Sequence, residues 1–459
     1  MQTCSTQLSL LPDSSADRSV QRTIHYLGSK LRAVDPIRRA VSAVAPVGQP
    51  VCDLFAGSGI VSLALGSDWD VTSVDIQEYS RVLCNGLANA PQNAGNEGAY
   101  LCNQANAGSL RSELRSALAG LLGYEQKSLT EAADGSVESL CDLLEYGSLL
   151  PLNASRDMPL PLRTELSVAI DNLDALGLAR GSQTVVTRHF GGRYFSWEQA
   201  IDLDAMLAEI HSLDHGFRDF YLSAAFVVSS DIVNTVGKHF AQPIKLRDGN
   251  GHPKRHLVKQ TLRDRSLNVF DSYRACCHSL SAIRQSHRSN RAVKSDYLDF
   301  LTDDNTPFAA IYADPPYTRD HYSRYYHVLE TMALRDDPDV ATTKIRTNGV
   351  PRLSRGIYRL DRHQSPFCIP TKAPSAFENL FSAVAKRGVP LILSYSPYQA
   401  STGNRPRLLT IDQLLDIARR HFGKVEIVPI DGIFHNKLNL TERNVSVEYP
   451  AEVLMSCLS

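Results

Sequence analysis

The chain reads as an α/β protein: a doubly wound, Rossmann-like sheet interrupted by a large, mostly helical insert. Three observations predict this. In "QPVCDLFAGSGIVSLALGSDWDVTSVDIQ", residues 49–77, a strand, a glycine-rich turn, a helix and a second strand follow one another. That rhythm is missing from about residue 105 to 294, where helix-like segments such as "SELRSALAGLLGYE" and "AIDLDAMLAEIHSL" alternate with polar, proline-bearing connections. It returns in "FAAIYAD" and "VPLILSYS", apolar runs bounded by turn residues, the pattern of fully buried parallel strands.

Composition bounds the rest. At 459 residues, 43% hydrophobic and 21% charged, the chain has the make-up of a soluble globular protein with more than one unit. Its formal net charge is -1, so a nucleic-acid surface requires locally concentrated positive charge. No apolar run approaches the ~20 residues of a membrane span. The opening stretch lacks the basic and apolar regions of a signal peptide, so no membrane association and a cytoplasmic location are expected. The nine cysteines are scattered without a CxxC pair, which fits reduced thiols rather than disulfides or a zinc knuckle. The fourteen histidines show no HExxH spacing, and no metal is expected.

From the start of the chain, residues 1–20 are rich in Ser, Gln and Asp and are expected to form a flexible tail. In "TIHYLGSKLRAVDPIRRAVSAV" helical spacing begins after Asp35, with Pro36 suited to a first helical position. "PVCDLF" reads as a short buried strand, "AGSG" as a tight loop and "IVSLAL" as a helix start. Gly57 and Gly59 let the backbone turn tightly and approach a ligand closely. Asp53 falls at the first strand's end, where such folds bind ligands, and Asp75 ends the second strand, placed to accept hydrogen bonds from ribose hydroxyls. The loop has neither the Lys-Ser/Thr ending of a Walker loop nor dinucleotide spacing. That favours a nucleoside with a charged tail as the ligand.

In "IYADPPY" an apolar strand ends on Asp314. Pro315 and Pro316 fix two φ angles near -65° and remove two backbone donors, leaving a stiff loop of carbonyl acceptors, and Tyr317 adds a flat ring. An acid, a carbonyl and a ring together suit a planar heteroaromatic amine. The carboxylate and the Pro315 carbonyl can take the two N–H bonds of an amino group, while the ring stacks on the base for roughly 1–3 kcal/mol. The amino nitrogen of adenine is a poor nucleophile because its lone pair is delocalised. Two acceptors favour the pyramidal nitrogen of a methyl-transfer transition state.

The ordered set "YLGSK" (Tyr26 to Lys30), "DLFAGSG" (Asp53 to Gly59), a long insert, then "DPPY" (Asp314 to Tyr317) resembles the D12-class, Dam-like, α-group DNA adenine-N6 methyltransferases. The resemblance covers residues 21–100 and 295–459. It implies a class I methyltransferase sheet, with a discontinuous catalytic domain over 21–104 and 295–459 and a target-recognition insert over 105–294. It implies S-adenosyl-L-methionine as cofactor, double-stranded DNA as substrate, and a restriction-modification or phage-defence setting with possible cognate subunits. By position, Phe55, Gly57 and Gly59 would line the cofactor loop, and Tyr26 and Lys30 would lie near the cofactor's methionine end. Asp296 and Tyr297 match an acid–aromatic pair that packs on the cofactor adenine, with Asp299 and Phe300 as the alternative. "LSYSP", Ser394 to Pro397, would wall the active site.

The insert exceeds a minimal recognition module. Residues 238–294 hold thirteen Lys or Arg against three acids, the composition of a phosphate-tracking surface. Lys238, His239, Lys245, Arg247, Lys254 and Arg255 lie in a stretch that reads as an extended, groove-entering loop, and Arg263 and Arg265 are expected on phosphates. The helical spacing of Tyr322, Tyr325 and Tyr326 fits core packing, as does Trp197, while "GGRYFSWEQAIDLDAM" carries no readable mechanism. Two rival functions share these features: an RNA amine methyltransferase, and a DNA-binding module on a catalytically dead fold.

Overall fold

The computed structural model describes residues 23–150, 158–282, 288–344, 351–397, 407–430 and 452–458. The expected tail, residues 1–20, lies outside them, as does the part before residue 452 of "VSVEYPAEVLMSC", a run whose sequence also reads as a strand.

Nine strands are described: β1 (Pro50–Leu54), β2 (Asp70–Asp75), β3 (Arg291–Lys294), β4 (Ala310–Ala313), β5 (Thr342–Lys344), β6 (Pro351–Leu353), β7 (Leu391–Tyr395), β8 (Lys424–Pro429) and β9 (Val453–Leu458). Seven form one twisted sheet in the order β3-β2-β1-β4-β7-β9-β8, and β5 with β6 makes a separate antiparallel hairpin. The pairs from β3 to β7 are parallel, and β9 runs antiparallel to both neighbours. This is the Rossmann-like methyltransferase architecture the sequence predicts. Chain order reverses between β1 and β4, so the carboxyl ends of those two strands flank the crevice where such sheets bind ligands.

The strands form where the sequence has apolar runs. Every residue of β4 and β7 is buried, as expected of strands covered on both faces. One face packs Ile37, Val41, Leu65 and Trp69 against Val51, Val71 and Ile392. The other packs Phe377, Leu380 and Phe381 of the helix Ala373–Lys386 against Leu54, Ile311 and Leu393. The strand β3 has no such signature, since two of its four residues are charged and none is buried. It pairs with β2 all the same, so the sheet resumes at 291, inside the span read as insert. The first helix also begins two residues earlier than its pattern suggests. It runs Val34–Ser42 with Ala33 before it, and Asp35 and Pro36 sit within the first turn, where a missing N–H costs nothing.

The insert is helical, and its inner helices are continuous with the sheet's own core. Phe220, Tyr221 and Phe226 of the helix His215–Ile232 cluster with Tyr79 and Leu83 of the helix Glu78–Ala88, which follows β2. The two helices touch at Gly86, where a Cβ would lie 2.3 Å from the Asp219 carbonyl oxygen. An outer cluster built on Leu114, Leu140, Leu162 and Trp197 forms a second apolar centre. "GGRYFSW" links the two: Tyr194 donates to the Gly356 carbonyl at 2.8 Å, and Ser196 caps the helix Trp197–His211 with a reciprocal Gln199 bond. Its Tyr194, Ser196 and Trp197 are committed to packing and capping. No helix among the described residues is long and apolar enough to cross a membrane.

Candidate active site

The carboxyl ends of β1, β2 and β4 open onto a cleft of about 1050 Å³, counting its solvent-open mouth. Its lining brings together Tyr26, Lys30, Asp53, Phe55, Gly57, Asp75, Asp296, Tyr297, Asp314 and Pro316, residues drawn from five separate stretches of sequence. Gly59, Pro315, Tyr317 and the alternative pair Asp299 and Phe300 are not among its lining residues. Gly59 caps the helix Ile60–Leu65 in a left-handed conformation, close against Cys84.

The turn after β1 is built under constraint. Phe55 has φ 71°, unusual for a residue with a Cβ, and both its N–H and that of Ala56 donate to the Val74 carbonyl at 3.0 Å. This bend turns the Phe55 ring toward Tyr297 and Phe367, whose centroids lie 5.3 and 5.4 Å away. Gly57 has φ 55°, and a Cβ there would sit 2.5 Å from the Tyr26 hydroxyl. Tyr26 is itself stacked on Tyr326 at 4.7 Å, and the Tyr326 hydroxyl accepts from Leu27 N–H at 2.7 Å. The tyrosines after DPPY therefore clamp the N-terminal "YLGSK" segment onto the site.

The carboxylates hold different partners. Asp75 accepts from Gly57 N–H and Gln77 N–H, both at 2.9 Å, which fixes it at the lip of β2. Burial raises its pKa, opposed by those two bonds. Asp53 is fully buried and accepts from Ser62 Oγ at 2.5 Å; burial pushes its pKa up to about 7 despite that hydroxyl. Asp296 uses Oδ1 to cap the helix Tyr297–Asp303 through Leu298 N–H.

Asp314 follows β4 and is 22% exposed at its side chain. Its Oδ2 pairs with Lys30 Nζ at 2.8 Å, while its Oδ1 accepts no hydrogen bond from any described residue. Lys30 also pairs with Glu452 Oε1 at 2.5 Å, and Ser394 Oγ donates to that same oxygen at 2.6 Å. Burial pushes Asp314 up to about 6, with Lys30 pulling it down and Glu452 pushing it further up. Burial opposes the charge on Lys30, yet the Asp314 and Glu452 carboxylates hold its pKa well above the ordinary lysine value. The family resemblance puts Lys30 near the cofactor's methionine end; here two of its three donors are held by carboxylates of the protein itself. Tyr317 lies beneath the Arg407 guanidinium, 4.8 Å from its ring centroid, with Lys30 at 5.7 Å and the Tyr395 ring tilted against it at 5.2 Å. Glu452, Ser394 and Arg407 thus complete the site. "LSYSP" signals the second of them, and no motif in the sequence marks the other two.

Residues 26–112 match the family model of the D12 class N6 adenine-specific DNA methyltransferases. Over that segment the chain is similar to the D12-class methyltransferases. A relative is the modification methylase LlaI of Lactococcus lactis subsp. lactis, 31% identical over 254 residues, which is 54% of this chain and 32% of that protein. The chain thus spans about a third of the length of the curated relative it matches.

Beyond the cleft, the basic stretch is less uniform than its composition implies. Lys238 is committed internally, with Nζ 2.9 Å from Asp264 and donating to the Asp231 and Val233 carbonyls. The His239 ring packs edge-on against Tyr325 at 4.9 Å. Arg247 pairs with Asp142 at 2.8 Å and Glu145 at 3.1 Å. Arg265, expected on a phosphate, is fully buried and paired with Glu125, so the chain spends that charge on holding two helices together. Lys245 and Arg255 are exposed, and Lys254 is half-buried with its Nζ donating to the Lys245 carbonyl.

Proposed function

We propose that the chain is a sequence-specific DNA methyltransferase that moves a methyl group from S-adenosyl-L-methionine to the N6 amino group of a flipped-out adenine. We assign it to the cytoplasm, as part of a modification system of the restriction or phage-defence kind. The observation that carries this is Asp314: an acid at the end of a central strand, one oxygen anchored by Lys30 and the other without a donor.

The cleft's residues fit the proposed cofactor. The Phe55, Tyr297 and Phe367 rings, inclined to one another, form an apolar wall for a purine, Asp75 stands at the β2 lip for ribose hydroxyls, and Gly57 leaves room for the Tyr26 ring beside them. When bound, S-adenosyl-L-methionine supplies an electrophilic methyl group on a sulfonium sulfur. Gly57→Ala adds a methyl at a positive φ and within 2.5 Å of the Tyr26 hydroxyl. It is expected to weaken cofactor binding at least about tenfold, roughly 1.4 kcal/mol, by calorimetric titration. Unchanged affinity in a folded variant would remove the loop from the cofactor's site.

The chain's own residues do the remaining work. Adenine in a duplex is paired and stacked, so it must leave the helix at a cost of a few kcal/mol. Asp314 Oδ1 and the Pro315 carbonyl accept the two N–H bonds of the extruded amine, and the rigid prolines keep those acceptors in place. As nitrogen takes the methyl, positive charge grows on it beside an ionised carboxylate. The proton the nitrogen then sheds has Asp314 as an acceptor. Lys30 holds Asp314 in orientation, and Glu452 with Ser394 holds Lys30.

Expression in a methylation-free bacterial host, followed by modification-sensitive long-read sequencing, tests the assignment. N6-methyladenine at one short sequence is expected, absent when Asp314→Ala is expressed instead. Genomic DNA without the mark, with structured RNA methylated by the purified protein, would transfer the chemistry to the rival substrate.

A further inference from the structure

A second cleft lies away from the first, between residues 243–247 of the insert and the β5–β6 hairpin. It encloses about 1270 Å³ with its open mouth, and Arg193, Lys245, Arg247, Arg352 and Arg355 all line it. Its one acidic lining residue, Glu145, is already engaged by Arg247, which also pairs with Asp142. Among the described residues no carboxylate pairs with the other four cations.

Arg193 is the decisive member. It is 7% exposed, its Nη2 donates to the Arg355 carbonyl at 3.2 Å, and its buried Nε has no partner among the described residues. A guanidinium that has left water without a counter-charge is costly, and a site that retains one is built to receive an anion. Arg355 stands beside it, fixed by its own bond to the Pro243 carbonyl at 3.0 Å, while Lys245 and Arg352 are exposed at the rim.

The two clefts are joined by one stretch of chain. Arg352 and Arg355 line the second, and His363, Ser365 and Phe367 line the first. Eight residues lead from Arg355 to His363, which cannot span more than about 29 Å. At ~3.4 Å per step along one strand, that is no more than about eight nucleotides. Between the clefts, Arg324 and Arg362 both lie over the Tyr358 ring, at 5.7 and 5.6 Å. Basic side chains therefore mark the path from one cleft to the other.

We propose that this second cleft, centred on Arg193, clasps a backbone phosphate of the duplex whose adenine enters the first cleft. The inference rests on the DNA reading above and adds a place where the duplex is held. A phosphate contact fixes register and carries no sequence information, so its loss weakens binding evenly across sequences.

The test is the salt dependence of duplex binding by the full chain, measured with cognate and unrelated DNA. Each phosphate contact contributes a slope of about -0.9 to log K against log salt. Arg193→Gln is expected to make the slope shallower by about 1, and the exposed pair Lys245→Ala with Arg352→Ala by about 1–2, each equally on both DNAs. Because the second variant changes only rim residues, its result stands even if Arg193→Gln folds poorly. Unchanged slopes in a wild-type-like fold overturn the inference while leaving the methyltransferase reading intact. Wild-type protein that neither binds nor methylates duplex DNA overturns both. Inorganic phosphate or pyrophosphate raising the melting temperature of wild type and not of Arg193→Gln, with DNA slopes unchanged, would assign the cleft to a free anion and overturn the DNA source.

Discussion

Asp314→Ala is expected to lower the single-turnover rate of methyl transfer by about 10³-fold or more, with cofactor affinity held within about threefold of wild type. Removing one preorganised partner of a developing charge costs about 10²–10³ in rate in comparable sites, and this partner is itself charged, which roughly doubles the strength of its bonds. The change removes half of the proposed acceptor pair and leaves the Pro315 carbonyl alone. Cofactor affinity is spared because the proposed purine and ribose contacts, Phe55, Tyr297, Phe367 and Asp75, are held by one another and by backbone groups and not by Asp314. The fold is spared because Lys30 keeps Glu452 as a partner. Asp314→Asn separates charge from shape: it keeps the volume but places an N–H₂ where an acceptor is needed, and it should be as inactive as the alanine variant. A rate within tenfold of wild type in either would remove Asp314 from the chemistry.

How much of this was legible in the sequence follows from where each signal sits. Asp53, Asp75 and Asp314 are readable because each ends an apolar strand, and a strand end is visible from hydrophobic runs alone. Their convergence follows from the parallel sheet order, which the strand–helix rhythm implies. Glu452 is not readable, because its partners, Lys30 and Ser394, both lie far from it in sequence, and a carboxylate beside a strand usually faces water. The strand β3 escapes for a related reason: it is an edge strand, half charged, and paired on one side only. Composition likewise identifies the basic stretch without saying which charges are free. Arg265 and Lys238 are answered by Glu125 and Asp264, the first of which is far away in sequence, whereas Arg193 lies outside that stretch and goes unanswered. Helical spacing makes Tyr326 a core residue, and the fold agrees, but only the structure shows that the core it joins is the Tyr26 ring beside the candidate cleft.

Lys30→Met and Glu452→Gln are expected to move the acid limb of the pH–rate profile in opposite directions. Asp314 must be ionised to accept the amine, so the wild-type rate should fall as pH drops through about 6. Lys30 lowers the pKa of Asp314 and Glu452 raises it. Removing the lysine therefore shifts the limb to higher pH, and neutralising Glu452 shifts it to lower pH. The lysine variant also leaves two largely buried carboxylates without their ammonium, a loss of about 3–5 kcal/mol by comparison with other broken buried pairs. The sign of that penalty distinguishes the two consequences. A carboxyl whose folded pKa lies above its unfolded value takes up a proton on folding, so its contribution favours the fold at low pH and is lost as pH rises through the folded pKa. Stability of Lys30→Met should thus decline with rising pH, while the residual rate per folded molecule climbs. If Lys30 merely held the fold together, rate and stability would fall together as pH rises. Single-turnover rates from pH 5 to 9, normalised to the folded fraction from thermal melts at each pH, separate the cases. Parallel decline, or a limb unmoved by both substitutions, would show that the Asp314–Lys30–Glu452 chain does not set the charge on the catalytic acid.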